Sequence, residues 1–132
     1  MITSHFESAD VIPGTYTGTL VMSCIARSRR TRNVGVTLFW DISVKPGYQE
    51  RVWRTFWLSK KALARTKVEL ARLGICTLAD LDNDPPVPPG AVCRLDIAEV
   101  QDRGGWRECR IVRWQVLSNA AAKEEVVTDE RG

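Results

Sequence analysis

The segment from Val34 to Val44 limits what this chain can fold into more than any other. Val34, Val36, Leu38, Trp40, Ile42 and Val44 alternate with Gly35, Thr37, Phe39, Asp41 and Ser43. Successive side chains of a β-strand point to opposite sides of its sheet, so this period of two predicts a strand with one buried and one open face. Such a strand needs partners on both edges and a layer against its apolar side. The rest of the chain must supply them.

It does so in a readable order. Val11-Ile12-Pro13-Gly14 is a turn that launches strand one, Thr15 to Ile25, rich in Thr, Tyr, Leu and Val. Lys45-Pro46-Gly47-Tyr48 turns the chain into strand three, Arg51 to Ser59. Lys60 to Leu73 carries good helix formers, with Ser59 placed to cap its start and Gly74 suited to the left-handed position at its end. Thr77 caps a short helical turn through Leu81, and the proline pairs within Asp82 to Gly90 make an extended connector. Ala91 to Val100 and Trp106 to Leu117 read as strands four and five, joined by Asp102-Arg103-Gly104-Gly105.

Three strands, a helix and two strands is the order of a five-stranded OB-fold barrel with one α-helix between strands three and four. The expected class is therefore mainly β. The competing architecture is an open antiparallel sheet packed on one helix. Closure is favoured because five half-buried strands leave more edge than one short helix covers. Residues 11–117 form the expected OB-fold domain. Residues 1–10 are read as a flexible arm, and residues 118–132 as an acidic, disordered tail with a short helix at Ala120 to Glu125 as an option.

Charge is divided along the chain. The formal net charge is +3. The last ten residues hold two basic and four acidic side chains, so the preceding 122 carry 17 basic against 12 acidic, a net +5. Of the 19 basic residues 14 are arginine, which grips phosphate as a fork and stacks on bases. A basic body favours a polyanion as partner. No stretch approaches the roughly 20 apolar residues needed to cross a bilayer, and no basic start precedes an apolar block, so no membrane association and no secretory signal are expected.

Catalysis finds little support, and the expected role is not enzymatic. The lone histidine, His5, lies in the arm, and Ser/His/Asp and Cys/His arrangements have no plausible positions. Cys24, Cys76, Cys93 and Cys109 form no closely spaced pair, so no metal site and no cofactor are expected, and Cys93 and Cys109 read as small buried strand residues. Asp80, Asp82 and Asp84 are spaced like the start of a calcium loop, but the prolines that follow and the missing glycine and glutamate break the pattern. These acids are expected to be solvated loop residues.

An OB barrel binds its ligand across strands two and three, between the loop joining strands one and two and the loop joining strands four and five. Here the first loop holds Arg27, Arg29, Arg30 and Arg32, with no acid among them, and the second holds Arg103 followed by Trp106. Phe39 is an aromatic ring on the open face of strand two. The parity of strand three is ambiguous. If Val52, Phe56 and Leu58 point inward, Arg51, Trp53, Thr55 and Trp57 line the cleft, but Arg54 is then forced inward at a cost. If Trp53 and Trp57 fill the core, Arg54 and Phe56 face out. Either register puts an aromatic beside an arginine, and bases stack on such rings irrespective of sequence.

Several short motifs resemble small phage and prophage single-stranded-DNA-binding proteins. They are Ile12-Pro13-Gly14-Thr15-Tyr16 opening strand one, the segment Val52 to Leu58, and the helix ending Leu73-Gly74-Ile75. The similarity spans Val11 to Leu117. It implies an OB fold, sequence-independent binding of single strands, and a cytoplasmic place in phage replication or recombination, with proteins of those processes as further partners. It also implies that Trp53 and Trp57 lie on the binding side. Two departures stand out: the opening glycine follows Pro13 directly, and the acidic end, Asp129 to Gly132, lacks a terminal aromatic or hydrophobic residue.

The expected function is thus coating of single-stranded DNA by Arg27, Arg29, Arg30, Arg32, Phe39, Arg51, Trp53, Trp57, Arg103 and Trp106. The alternatives are a protein-interaction or assembly module, whose exposed rings would bury a partner or a second copy, and single-stranded RNA binding by the same barrel.

Overall fold

A computed structural model of the chain describes residues 11–101, 104–105 and 107–119. The arm, Arg103, Trp106 and the expected tail helix lie outside the described residues. The elements are β1 (Gly14–Arg27), β2 (Val34–Lys45), β3 (Tyr48–Trp57), α1 (Leu63–Ala71), a 3-10 turn (Leu78–Asp82), β4 (Val92–Gln101) and β5 (Arg107–Ser118). All strand pairings are antiparallel, in the order β3-β2-β1-β4-β5. Among the described residues no helix is long and apolar enough to cross a membrane.

β1 is long enough to serve two partners. Its first half, Gly14 to Thr19, pairs with β4, and Gly18 to Arg27 pairs with β2. The register shifts between Leu20 and Met22, a bulge that bends the strand. At Gly18, where both pairings overlap, an added Cβ would stand 2.9 Å from Ile42 Cγ2 and 3.2 Å from Trp40 Cβ. Only glycine lets β1 lie this close to the core.

The alternation of β2 emerges as expected. Val36, Leu38, Trp40 and Ile42 are fully buried. They pack with Leu20, Val52, Phe56, Leu95, Ile97, Ile111 and Trp114, and Leu70 and Leu73 close the core. Trp114 sits at its centre, its ring centroid 5.8 Å from Trp40 and 5.6 Å from Phe56. Burial pushes the Cys93 thiol up, as for a core side chain, and the half-buried Cys109 is shifted the same way. The buried Ser23 hydroxyl donates to the Val87 carbonyl and accepts from its N–H, both at 2.9 Å, which ties the proline-rich connector to β1.

Three expectations need correction. The helix begins at Leu63 rather than Lys60, and Ser59 does not cap it with its hydroxyl. The Ser59 carbonyl instead accepts the N–H groups of Ala62 and Leu63. Asp80 is more than a solvated loop acid. Its carboxylate accepts the N–H groups of Cys76 and Thr77 at 3.0 Å in a capping box, and these bonds hold its pKa below the usual carboxylate value. Finally, the sheet is not closed. β3 and β5 are its two edges, and no ladder joins them. Side chains of α1 and of the residue that caps its end reach them instead: Thr66 donates to the Trp57 carbonyl at 2.7 Å, and Arg72 to the Trp114 carbonyl at 3.0 Å. These contacts tie the helix to both edges without closing the sheet.

Candidate nucleic-acid interface

The outer face of β1, β2 and β3 is a grid of cross-strand rows. In sequence, they are Thr19–Asp41–Arg51, Met22–Phe39–Trp53, Cys24–Thr37–Thr55 and Ala26–Gly35–Trp57. The bulge in β1 keeps Met22 on this face, since one extra residue restores the parity that Leu20 would otherwise reverse. Met22 is 42% exposed, and Phe39, Trp53 and Trp57 are half-buried. Phe39 and Trp53 pack with ring centroids 6.2 Å apart at 43°.

The register of β3 is therefore the one with Trp53 and Trp57 outside. Val52 and Phe56 are buried, and Arg54 points to the inner side. What makes this tolerable is α1. Glu69 Oε1 lies 3.8 Å from Arg54 Nη2, and the guanidinium stands 5.0 Å from the Phe56 ring centre. Burial pulls the Arg54 pKa below its ordinary value and Glu69 opposes it. The same Glu69 oxygen accepts the Trp114 indole N–H at 3.2 Å.

Gly35 seats Trp57. A Cβ there would come within 2.8 Å of Trp57 Cε3 and 2.9 Å of the Phe56 carbonyl oxygen. Gly35→Ala should displace Trp57 and cost on the order of 1–3 kcal/mol through overpacking. A fall in the urea midpoint, with a shifted tryptophan emission maximum, is the expected measurement. Between Trp57 and Trp53 the sheet is polar and sealed, with Thr37 fully buried and its hydroxyl 2.7 Å from that of Thr55.

The arginines divide into two groups. Arg27 ends β1, and Arg29, Arg30 and Arg32 lie in the hairpin to β2. All four are exposed, and none makes a side-chain hydrogen bond or ion pair among the described residues. The hairpin is ordered by its backbone: Ser28 N–H donates to the Asn33 carbonyl at 2.9 Å, and Arg32 N–H to the Ser28 carbonyl at 2.8 Å, with Arg32 at φ 60°. Because Arg27 pairs with Val34, this loop adjoins the Gly35–Trp57 row. Arg51 differs. Its Nε donates to Asp41 at 2.9 Å and its Nη2 at 3.4 Å, which raises its pKa. Arg51 shares the face with the rings, but its charge is already answered by Asp41.

Comparison with protein-family models, curated proteins and solved structures returns no match. The site is therefore read from its own geometry. The structure gathers Phe39, Trp53, Trp57 and Arg51 on one face and sets Arg27, Arg29, Arg30 and Arg32 at its end. Arg103 and Trp106 lie outside the described residues.

Sequence reasoning missed two contributors. Met22 joins the aromatic row only through the bulge, which no residue type in β1 announces. Arg110, on β5, lines a groove of about 370 Å³ between the β3 and β5 edges, opposite Trp53 and Trp57. It pairs with Glu108, and its buried Nε has no hydrogen-bond partner among the described residues. Finding it required knowing that the first part of β5 lies across from β3.

Proposed function

We propose that this chain binds single-stranded DNA without sequence preference and does no chemistry on it. The observation that carries the reading is the Met22–Phe39–Trp53 row with Trp57 on the same face beyond the Thr37–Thr55 pair, ending at four arginines that meet no acid among the described residues. Half-buried rings fixed against a sheet stack on bases at low entropic cost, and every base offers a π-face. The arginines would track phosphates. In this reading the sheet is an OB-type barrel parted along one seam, since joining β3 to β5 would complete the strand circuit of that fold, and the rings lie where such barrels bind. The resemblance adds a cytoplasmic role in phage replication or recombination.

Titration with oligo-dT should quench the intrinsic fluorescence strongly, and affinity should fall steeply with salt. Unchanged emission together with no gel shift at low salt defeats the proposal. Changing Arg27, Arg29, Arg30 and Arg32 to glutamine should lower the slope of log affinity against log salt by about 3, at roughly 0.7 per single-strand phosphate contact. An unchanged slope would show that these guanidiniums make no phosphate contacts. Competition between matched DNA and RNA oligomers separates the two nucleic acids, because only a contact to the 2′-hydroxyl distinguishes them.

A second reading rests on the unpaired edges. Val112 and Leu117 on β5 are 47% and 51% exposed. A protein-interaction module would bury them, and the rings, against a partner or a second copy. Sedimentation of the Trp53→Ala/Trp57→Ala variant discriminates: a changed oligomeric state favours assembly, and lost DNA affinity with the assembly state unchanged favours stacking.

A further inference from the structure

A second hollow of the described surface lies away from the aromatic rows, on β4 and β5. It holds about 580 Å³ and is lined by Arg72, Arg94, Asp96, Arg113, Gln115 and the neighbouring Trp114 and Val116. Arg94 pairs with Gln115, and Asp96 with Arg113, so the two arginines are diagonal neighbours on one sheet face. Neither makes a side-chain hydrogen bond or ion pair among the described residues. Arg72 completes the rim from the end of α1. Its Nη1 donates to the Trp114 carbonyl at 3.0 Å, and its guanidinium stands 5.4 Å from the Trp114 ring centre, so its position is fixed. Asp96 is the one acid in the lining, and one of its oxygens accepts the Thr15 hydroxyl at 3.0 Å.

Three guanidiniums around one hollow repel one another, and the single acid is partly occupied. We propose that this hollow is a second site, one that takes phosphate groups. Arg94 and Arg113 supply the forked donors that match phosphate oxygens, and Arg72 adds a fixed positive charge. The volume falls within the range of small-ligand sites and exceeds a single phosphate, so the group is carried by something larger. The phosphodiester backbone of a strand and a phosphorylated small molecule offer the same chemistry. The proposal does not rest on the aromatic face.

Calorimetric titration with pyrophosphate at low salt tests it. The intact chain should show saturable binding. Arg94→Gln/Arg113→Gln should weaken it roughly tenfold or more, the scale set by lost charge-assisted hydrogen bonds. Both positions are exposed, and circular dichroism verifies that the variant folds. Trp53→Ala/Trp57→Ala should bind pyrophosphate as the intact chain does, which keeps failure of this site distinct from failure of the aromatic one. Absence of saturable binding, or equal binding by the arginine variant, overturns the proposal. The source of the phosphate follows from oligo-dT of about 8 and about 16 nucleotides, within the range of site sizes for such domains. If the arginine variant weakens the longer oligomer more than the shorter, the phosphate belongs to a strand. If it weakens only pyrophosphate and mononucleotide, the ligand is a small molecule.

Discussion

Trp53→Ala/Trp57→Ala should abolish most of the affinity for oligo-dT while leaving the fold intact. Each stacked ring is worth about 1–3 kcal/mol, or roughly 5- to 150-fold in dissociation constant. Loss of both should therefore move binding by at least an order of magnitude. The stability cost should be smaller than for a core tryptophan, because both side chains are only half-buried and lie on the outer face. Fluorescence anisotropy of a labelled oligomer measures the first effect, and urea unfolding measures the second. Equal affinity for the variant and the parent would remove the rings from the binding surface.

The largest effect on stability should come from Trp40→Ala. Trp40 is fully buried and packs on Trp114 at the centre of the core. Removing so large a side chain costs about 3–5 kcal/mol, because the cavity it leaves closes only in part. Small domains have about 5–15 kcal/mol in all, so much of the stability would go. Urea denaturation should show a sharply lowered midpoint. Trp40→Phe, which keeps a ring in the same place, should cost clearly less. If the alanine variant unfolds at nearly the parental midpoint, Trp40 does not hold the position described.

The sequence was most legible where one local rule governed the outcome. β2 shows this best, because the same alternation that hides Val36, Leu38 and Trp40 also turns Phe39 and Asp41 outward. The rest depended on contacts between distant segments. The parity of β3 could not be read locally because Arg54 is unfavourable on the inner face until Glu69, fifteen residues further on, comes to meet it. The bulge at Val21 leaves no residue signature, so Met22 went unnoticed as part of the aromatic row. The pairing of Arg51 with Asp41 was not legible locally because the two lie on different strands. Whether the two outer edges join is likewise a question of curvature accumulated over all five strands, which no window of sequence contains.

Those two edges are bridged by the packing of Phe56 on Trp114 as well as by one short helix. Thr66 fastens it to the end of β3, Glu69 reaches Arg54 on β3 and Trp114 on β5, and Arg72 grips the β5 backbone. In a hydrogen-bonded barrel the spacing between neighbouring strands is fixed by peptide geometry and cannot be adjusted. Here no ladder fixes the spacing of β3 and β5, and side chains of α1 and of Arg72 just beyond it bridge them. That dimension is open to tuning by single substitutions in α1, well away from the surface they would reshape.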